Sequence, residues 1–254
     1  MRRTLFVASW KANMPNLAEA TAFFDQFRVY AANFRHEVVL CPSFVYLETA
    51  QKMMPTSVRL GAQDVSQYSN GPFTGEITAS MLASFGVKYC VVGHFERRAM
   101  GETDELLNKK ITQLLANGIT PVICIGDTLA EYDANMTRQI LERQLTEMLR
   151  GVKEWDKLVF AYMPVWSINS GRYASGEFAN LVLEFMRQTV QKISGVPMAA
   201  HVPMLYGGNV SASNVKEYLE QPHCDGVIWA IGATKPEVLA GMVTAPFTPK
   251  SFTK

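Results

Sequence analysis

The chain has 254 residues, of which 48% are hydrophobic, and its formal net charge is +1 at pH 7. A chain of this length can bury a large core, and a nearly balanced charge without like-charged runs disfavours nucleic acids and anionic membranes as partners. The apolar run at the amino terminus stops at Trp10-Lys11, too early for a signal peptide, and no window reaches the roughly 18 apolar residues of a membrane span.

Cysteine and histidine spacing disfavours disulfides and metal sites. The four cysteines, which form no CxxC pair, are Cys41, Cys90, Cys124 and Cys224. We expect them to be buried, reduced thiols in a cytoplasmic protein. The four histidines are scattered along the chain, so we expect no zinc site, and no motif indicates a cofactor.

Eight short apolar runs predict eight β-strands. They are Leu5–Ser9, Glu37–Leu40, Arg59–Ala62, Tyr89–Val92, Thr120–Ile125, Leu158–Met163, Pro203–Tyr206 and Val227–Ala230. Near-continuous apolar strands that alternate with helices are typical of a parallel sheet covered by helices. Because about 250 residues suit one α/β barrel, we predict a single (β/α)8 barrel domain over residues 1–254. An open doubly wound sheet is the alternative, although no G-x-G-x-x-G follows the first strand.

Segments with helical periodicity follow each predicted strand. They are Leu17–Val29, Phe44–Lys52, Thr78–Phe85, Thr103–Asn117, Ala134–Arg150, Glu177–Ile193, Ala212–Glu220 and Pro236–Met242. We predict that Thr103 caps the fourth helix and that Ser211 or Ser213 caps the seventh. In such a barrel, chemistry is expected at the carboxyl ends of the strands.

Several motifs near these strand ends are similar to those of the triosephosphate isomerase family. In chain order they are Trp10-Lys11, Ala62-Gln63-Asp64, Phe73-Thr74-Gly75-Glu76, Gly93-His94-Phe95-Glu96-Arg97-Arg98, Cys124-Ile125-Gly126, Ala161-Tyr162-Met163-Pro164-Val165-Trp166, Tyr206-Gly207-Gly208-Asn209-Val210 and Asp225-Gly226. They occur in the family's order and spacing, and the resemblance covers nearly the whole chain.

The resemblance implies a reaction and roles for several residues. The family interconverts dihydroxyacetone phosphate and glyceraldehyde 3-phosphate through an enediolate, with a carboxylate base, a neutral histidine and a lysine. By position Lys11 is the electrostatic lysine, His94 the electrophile and Glu96 the acid beside them. Lys11 and Glu96 could equally form a structural ion pair. Pro164–Arg172 corresponds to the lid that excludes water.

The resemblance also exposes three departures close to the expected chemistry. Met163 stands where the family has the glutamate of Glu-Pro-Val-Trp, and a thioether cannot accept a proton at pH 7. Loss of a general base typically costs about 10²–10⁴ in rate. Ser9 replaces an asparagine before Trp10-Lys11, and Phe95 replaces a small serine after the histidine.

The last strand departs most from the family. Ala230 and Ile231 stand where two glycines hold the substrate phosphate with their backbone N–H groups, and Trp229 precedes them. Glycine permits positive φ and close ligand approach, whereas a β-branched residue allows neither easily. An alternative alignment shifts Gly232-Ala233-Thr234 onto the second glycine. The remaining positions expected to contact substrate are Asn169, Ser170, Tyr206, Gly208 and Asn209.

These departures predict a pocket that has become apolar and aromatic-lined, by divergence or by deliberate redesign. Its expected partner is a small neutral aromatic molecule, undergoing either proton abstraction from carbon in an elimination or retro-aldol cleavage through a Schiff base on Lys11. One alternative is a divergent, weakly active triosephosphate isomerase of glycolysis, and another is a non-catalytic relative. The loop Gln67–Glu76 resembles the family's interdigitating loop, so we expect a homodimer in which Thr74 reaches the neighbouring pocket.

Overall fold

Eight parallel strands close into a barrel in which each strand pairs with its neighbours along the chain. The computed structural model describes residues 4–168 and 170–248, without the side chains of residues 198 and 200. The strands are β1 Leu5–Ser9, β2 Glu37–Cys41, β3 Val58–Ala62, β4 Tyr89–Val92, β5 Thr120–Ile125, β6 Val159–Tyr162, β7 Met204–Tyr206 and β8 Gly226–Trp229. The barrel closes where β1 pairs with β8, with Leu5 opposite Gly226 and Ala8 opposite Trp229. The predicted (β/α)8 barrel is confirmed, and the doubly wound alternative is wrong.

Helices surround the barrel on its outer face. They are α1 Leu17–Ala31, α2 Leu47–Met53, α3 Ala79–Ser84, α4 Phe95–Ala99, α5 Asp104–Ala116, α6 Leu129–Asp133, α7 Thr137–Met148, α8 Gly176–Ser194, α9 Val215–Leu219 and α10 Pro236–Thr244. Three of the predicted helices, α2, α7 and α9, begin three residues later than predicted. Phe44–Tyr46 is a 3-10 turn that precedes α2, and α7 begins three residues later than predicted because Asn135 adopts a left-handed φ of 56°.

The predicted helix caps have different outcomes. Thr103 caps α5, because its hydroxyl accepts a hydrogen bond from the Leu106 N–H at 3.2 Å. The prediction for the seventh helix is wrong, since α9 begins after Asn214 and neither Ser211 nor Ser213 caps it. Instead the Asn214 side chain accepts a hydrogen bond from the Ser211 N–H, which forms a turn before the helix.

Apolar side chains form two buried layers, one on each face of the sheet. The smaller layer fills the barrel interior, and its members are Leu5, Val7, Val39, Cys41, Val91, Val122, Cys124, Val159, Ala161, Met163, Leu205 and Ile228. The larger layer lies between the strands and the helices and contains the alternate strand residues, such as Phe6, Tyr206 and Trp229. Successive strand residues therefore face opposite layers, and this alternation decides which side chains reach the mouth of the barrel.

All four cysteines are buried and unpaired, as predicted. Among residues 4–168 and 170–248, no helix has the length and apolar character needed to cross a membrane. Within the same part of the chain, no group of three or more His, Cys, Asp or Glu side chains is arranged to hold a metal ion.

Candidate active site

Lys11 lies just beyond β1 in a constrained backbone conformation. Its φ is 50°, a left-handed value that is uncommon outside glycine. The Lys11 carbonyl accepts hydrogen bonds from Ser43 Oγ at 2.8 Å and Gln63 Nε2 at 2.9 Å, and its N–H donates to Ser9 Oγ at 3.2 Å. Neighbouring strand ends thus hold this backbone from three directions, which aims the ammonium group across the barrel mouth.

The Lys11 ammonium meets residues of the turn after β4. Its Nζ lies 2.6 Å from Glu96 Oε1 and 5.4 Å from the centre of the Phe95 ring. Glu96 is 46% exposed at its side chain, and it lies outside the cavity described below. Its carboxylate therefore holds the lysine from the solvent side, which corresponds to the ion-pair interpretation of this residue.

His94 is the N-cap residue of α4 and is a neutral hydrogen-bond donor. Its pKa is lowered to about 4, mainly by burial; the charge of Glu96 opposes this shift and that of Lys11 adds to it. The His94 Nδ1 accepts the N–H of Glu96 at 3.3 Å, so the single proton of the neutral ring resides on Nε2. The Nε2–H group of the neutral ring can therefore donate a hydrogen bond to an oxygen atom of a ligand.

A cavity of about 340 Å³ opens at the carboxyl end of the barrel. The predicted site residues that line it are Ser9, Lys11, His94, Phe95, Met163, Gly208, Asn209, Trp229, Ala230 and Ile231. The residues that the sequence analysis did not assign to substrate binding are Ile168, Gly171, Gly207, Val210 and Ile228. The strand ends thus bring the predicted lysine and histidine to one cavity, and its described lining contains no Asp or Glu.

Met163 occupies the floor of this cavity directly after β6. It is 5% exposed, and its N–H donates to the Ile125 carbonyl at 2.8 Å. Its side chain packs in the barrel interior, and a Cβ atom at Gly207 would lie 2.9 Å from its Cγ atom. The thioether is therefore held at the carboxyl ends of the strands, but it provides no proton acceptor there.

Two predicted substrate-binding residues, Tyr206 and Ser170, are not among the residues that line the cavity. Tyr206 faces the outer layer, where its ring stacks on Tyr218 with centroids 4.0 Å apart, because its neighbour Leu205 takes the inward position. Ser170 donates its hydroxyl to the Trp166 carbonyl at 2.6 Å and so stabilises a turn of the predicted lid. Asn169 lies outside the described residues.

Trp229 contributes little of an aromatic wall, contrary to prediction. Its ring meets Phe6 edge-on, with centroids 6.2 Å apart, in the layer between strands and helices. Ile228, one residue earlier, is the side chain that enters the barrel interior. A pleated strand turns successive side chains to opposite faces, so an inward Ile228 requires an outward Trp229.

The turn after β8 is also less crowded than predicted. Ile231 is 69% exposed, and neither it nor Ala230 has a positive φ. The left-handed position is Gly232, with φ of 72°, where a Cβ atom would lie 2.4 Å from Val238 Cγ1. The Ala233 N–H donates to the Ala230 carbonyl at 3.0 Å and closes the turn.

Comparisons with known proteins agree with the resemblance seen in the motifs. The sequence profile of the family described as "Triosephosphate isomerase" matches residues 4–246. The triosephosphate isomerase of Albidiferax ferrireducens is 42% identical over 229 residues, 89% of this chain and 92% of the relative. That of Rhodopirellula baltica is 37% identical over 248 residues, 96% and 98% of the two chains. That of Alkaliphilus oremlandii is 35% identical over 247 residues, 96% and 99% of the two chains.

These relatives overturn the prediction of a pocket refitted for elimination or retro-aldol chemistry on a neutral aromatic molecule. Every relative named above is a triosephosphate isomerase, which favours the isomerase alternative. One part of the predicted aromatic wall is also placed differently, because the Trp229 ring packs on Phe6 in the outer layer, whereas Phe95 lines the cavity. The fold, the motifs and the relatives lead to one conclusion: the chain belongs to the triosephosphate isomerase family.

Proposed function

We propose that this protein is a divergent triosephosphate isomerase of glycolysis with low activity. The observation that carries the proposal is the meeting of a neutral His94 and the Lys11 ammonium at one cavity. Isomerisation places negative charge on the substrate oxygens, and a neutral N–H donor beside a fixed cation stabilises that charge. The names and extensive similarity of the relatives support the same reaction.

The proton-transfer step distinguishes the proposed enzyme from an efficient one. A proton must leave one substrate carbon and return to its neighbour, and Met163 cannot carry it. We propose that solvent water accepts the proton while His94 Nε2–H and Lys11 Nζ stabilise the enediolate. Loss of a positioned base typically costs about 10²–10⁴, so we expect turnover about 10³-fold or more below that of an ordinary family member.

Phosphate binding is proposed to use backbone N–H groups at the cavity mouth. Asn209, Ala230 and Ile231 line the cavity, and each retains a main-chain donor. Because Ile231 is mostly exposed and Trp229 faces the outer layer, the ligand loses less hydration than an aromatic wall would require. The Lys11 ammonium, which also lines the cavity, supplies the positive charge.

The direct test uses protein purified from a host that lacks its own isomerase gene. Turnover of both triose phosphates is followed in a coupled assay, and deuterium uptake from solvent is followed by proton NMR. We expect slow turnover that falls further in His94→Ala and is unchanged in Arg143→Gln, an exposed substitution on α7. Near-normal turnover would contradict the loss of the base, and turnover no faster than buffer would favour the non-catalytic alternative.

We also propose that the protein is a cytoplasmic homodimer. A groove of about 370 Å³ is lined by Phe44, Met100 and both ends of the loop Gln67–Glu76. Met100 is 80% exposed, and Tyr68 stacks on Phe73 within that loop at 3.9 Å. Exposed apolar side chains of this kind support a two-fold contact between copies. Light scattering at micromolar concentration tests the proposal, since a species of only 28 kDa would contradict it.

A further inference from the structure

A second cavity, of about 490 Å³, lies outside the barrel between α6, α7 and α8. We call it the α6–α8 groove. Its apolar wall is formed by Tyr132 of α6 and by Phe178, Leu181 and Phe185 of α8. Leu181 is 56% exposed, so the groove presents apolar surface to solvent. Its volume and aromatic lining are in the range found for small-molecule sites.

One cation faces this apolar wall. The guanidinium of Arg138 lies 5.4 Å from the centre of the Phe185 ring, and among the described residues it forms no ion pair. The carboxylate of Asp133, which also lines the groove, lies 3.4 Å from Arg172 Nη1. The groove therefore combines aromatic surface with a positive charge that has no ion-pair partner in residues 4–168 and 170–248. Such a site complements an aromatic group carrying a carboxylate.

The same groove residues hold the segment that corresponds to the lid. Tyr132 stacks on Trp166 with centroids 4.0 Å apart, and Phe178 meets the same indole edge-on at 5.7 Å. Asp133 adds the contact with Arg172 near the other end of that segment. Two aromatic walls and one carboxylate of the groove thus contact the lid directly.

We propose that the α6–α8 groove is a second ligand site, that it binds small aromatic carboxylates, and that a bound ligand stabilises the docked arrangement of the lid. The aromatic body packs on Phe185 and Leu181, and the carboxylate pairs with Arg138. A ligand that also packs against Tyr132 and Phe178 restricts the motion of these two rings, which hold Trp166 of the lid. Ligand binding and docking of the lid therefore favour each other. This inference is independent of the activity proposed for the barrel cavity.

Calorimetric titration with two matched probes tests the ligand class. The probes are 2-naphthylacetate and the neutral 2-(2-naphthyl)ethanol, which share the aromatic body. We expect a dissociation constant below about 1 mM for the carboxylate and weaker binding of the alcohol. Arg138→Gln should weaken carboxylate binding about fivefold, the upper range for one exposed ion pair, and Arg143→Gln on the same helix should not change it. Equal affinities for the two probes would overturn the proposal.

A second substitution tests the location, and hydrogen exchange tests the connection with the lid. Leu181→Asp places a carboxylate at an exposed position of the groove and should reduce binding of 2-naphthylacetate more than tenfold without loss of the fold, as checked by circular dichroism. At saturating probe, amide exchange in residues 164–175 should slow at least twofold in the unmodified protein and remain unchanged in Leu181→Asp. Undiminished binding of 2-naphthylacetate to Leu181→Asp would overturn the proposed site. Amide exchange that does not respond to the probe would overturn the proposed coupling between the site and the lid.

Discussion

Gly207 lies so close to Met163 that a Cβ atom on the glycine would be 2.9 Å from the Cγ atom of the methionine. A second glycine is closer still, because a Cβ atom at Gly126 would lie 1.8 Å from the carbonyl oxygen of Met163. The two glycines hold the backbone and the first side-chain atoms of residue 163 in place. Glutamate and methionine share these first atoms, so the difference in chemistry lies in the end of the side chain.

Met163→Glu should therefore increase isomerase activity. The new carboxylate would stand at the cavity floor with Lys11 and His94 unchanged, and a positioned base contributes about 10²–10⁴ in rate. We expect kcat to rise at least about 100-fold for glyceraldehyde 3-phosphate, measured in the coupled assay. Met163→Gln is the matched control, because it has the same length but no useful basicity, and it should give no gain.

An absence of gain in Met163→Glu would have a defined meaning. The variant would then possess the base and still lack turnover, which would place the defect in the turn after β8, where the resemblance aligns Ala230 and Ile231 with the family's phosphate-binding glycines. Glycine at both positions in the Met163→Glu background would test that explanation.

Most of the fold could be predicted because its signals are local. The strand ends agree with prediction to within one residue, since short apolar runs between helical segments leave little ambiguity. The helix α6 was missed although Thr128 and Glu131 form a capping box that the sequence displays. By contrast, nothing local indicated that Asn135 would adopt a left-handed conformation and delay the start of α7.

The site could be predicted only in part, for a reason that lies in the barrel itself. Lys11 and His94 were found because motifs mark them. Trp229 lines the cavity, but its ring, expected there as an aromatic wall, packs in the outer layer. A barrel strand is buried on both faces, so its apolar residues do not reveal which face is inside. The inward direction of Ile228 depends on the register between β8 and β1, which only the assembled sheet defines.

His94 should remain neutral over most of the acidic range. Burial lowers its pKa from 6.5 to about 4, so the unfolded chain takes up this proton at higher pH than the folded one. The contribution of His94 to the free energy of unfolding is then fully present above about pH 6.5 and falls as the pH drops towards 4. NMR titration should show a histidine resonance with a midpoint near pH 4 that is missing in His94→Gln. A midpoint for this resonance at pH 6 or above would contradict the buried, neutral state.

Substitutions of Trp229 should affect stability more than ligand binding. Its ring packs against Phe6 outside the barrel, and its buried Nε1 has no hydrogen-bond partner among the described residues. Trp229→Ala should lower the free energy of unfolding by about 3–5 kcal/mol through the cavity that it creates. Trp229→Phe removes the unpaired donor and keeps an aromatic ring, so its cost should be below about 1.5 kcal/mol. Binding of 2-phosphoglycolate to Trp229→Phe should match binding to the unmodified protein, and a large change in affinity would show that the indole ring contributes to ligand binding.

The pair formed by Arg187 and Asp225 is expected to be a major contributor to stability. The Asp225 Oδ2 accepts hydrogen bonds from Arg187 Nη2 at 2.6 Å and from the Met204 N–H at 2.9 Å, and both charged side chains are more than nine-tenths buried. Asp225→Asn removes the negative charge that pairs with the buried guanidinium, and breaking a buried ion pair from one side typically costs about 3–5 kcal/mol. We expect a loss of that size in urea unfolding, with an unchanged dependence of the unfolding free energy on denaturant concentration.

The matched control is an exposed ion pair of α8, the helix that also carries Arg187. Lys192 of α8 lies 3.2 Å from Glu142 of α7, and Glu142→Gln removes this partner, which should cost less than about 1 kcal/mol. Similar losses in the two variants would show that burial does not determine the strength of the Arg187–Asp225 pair.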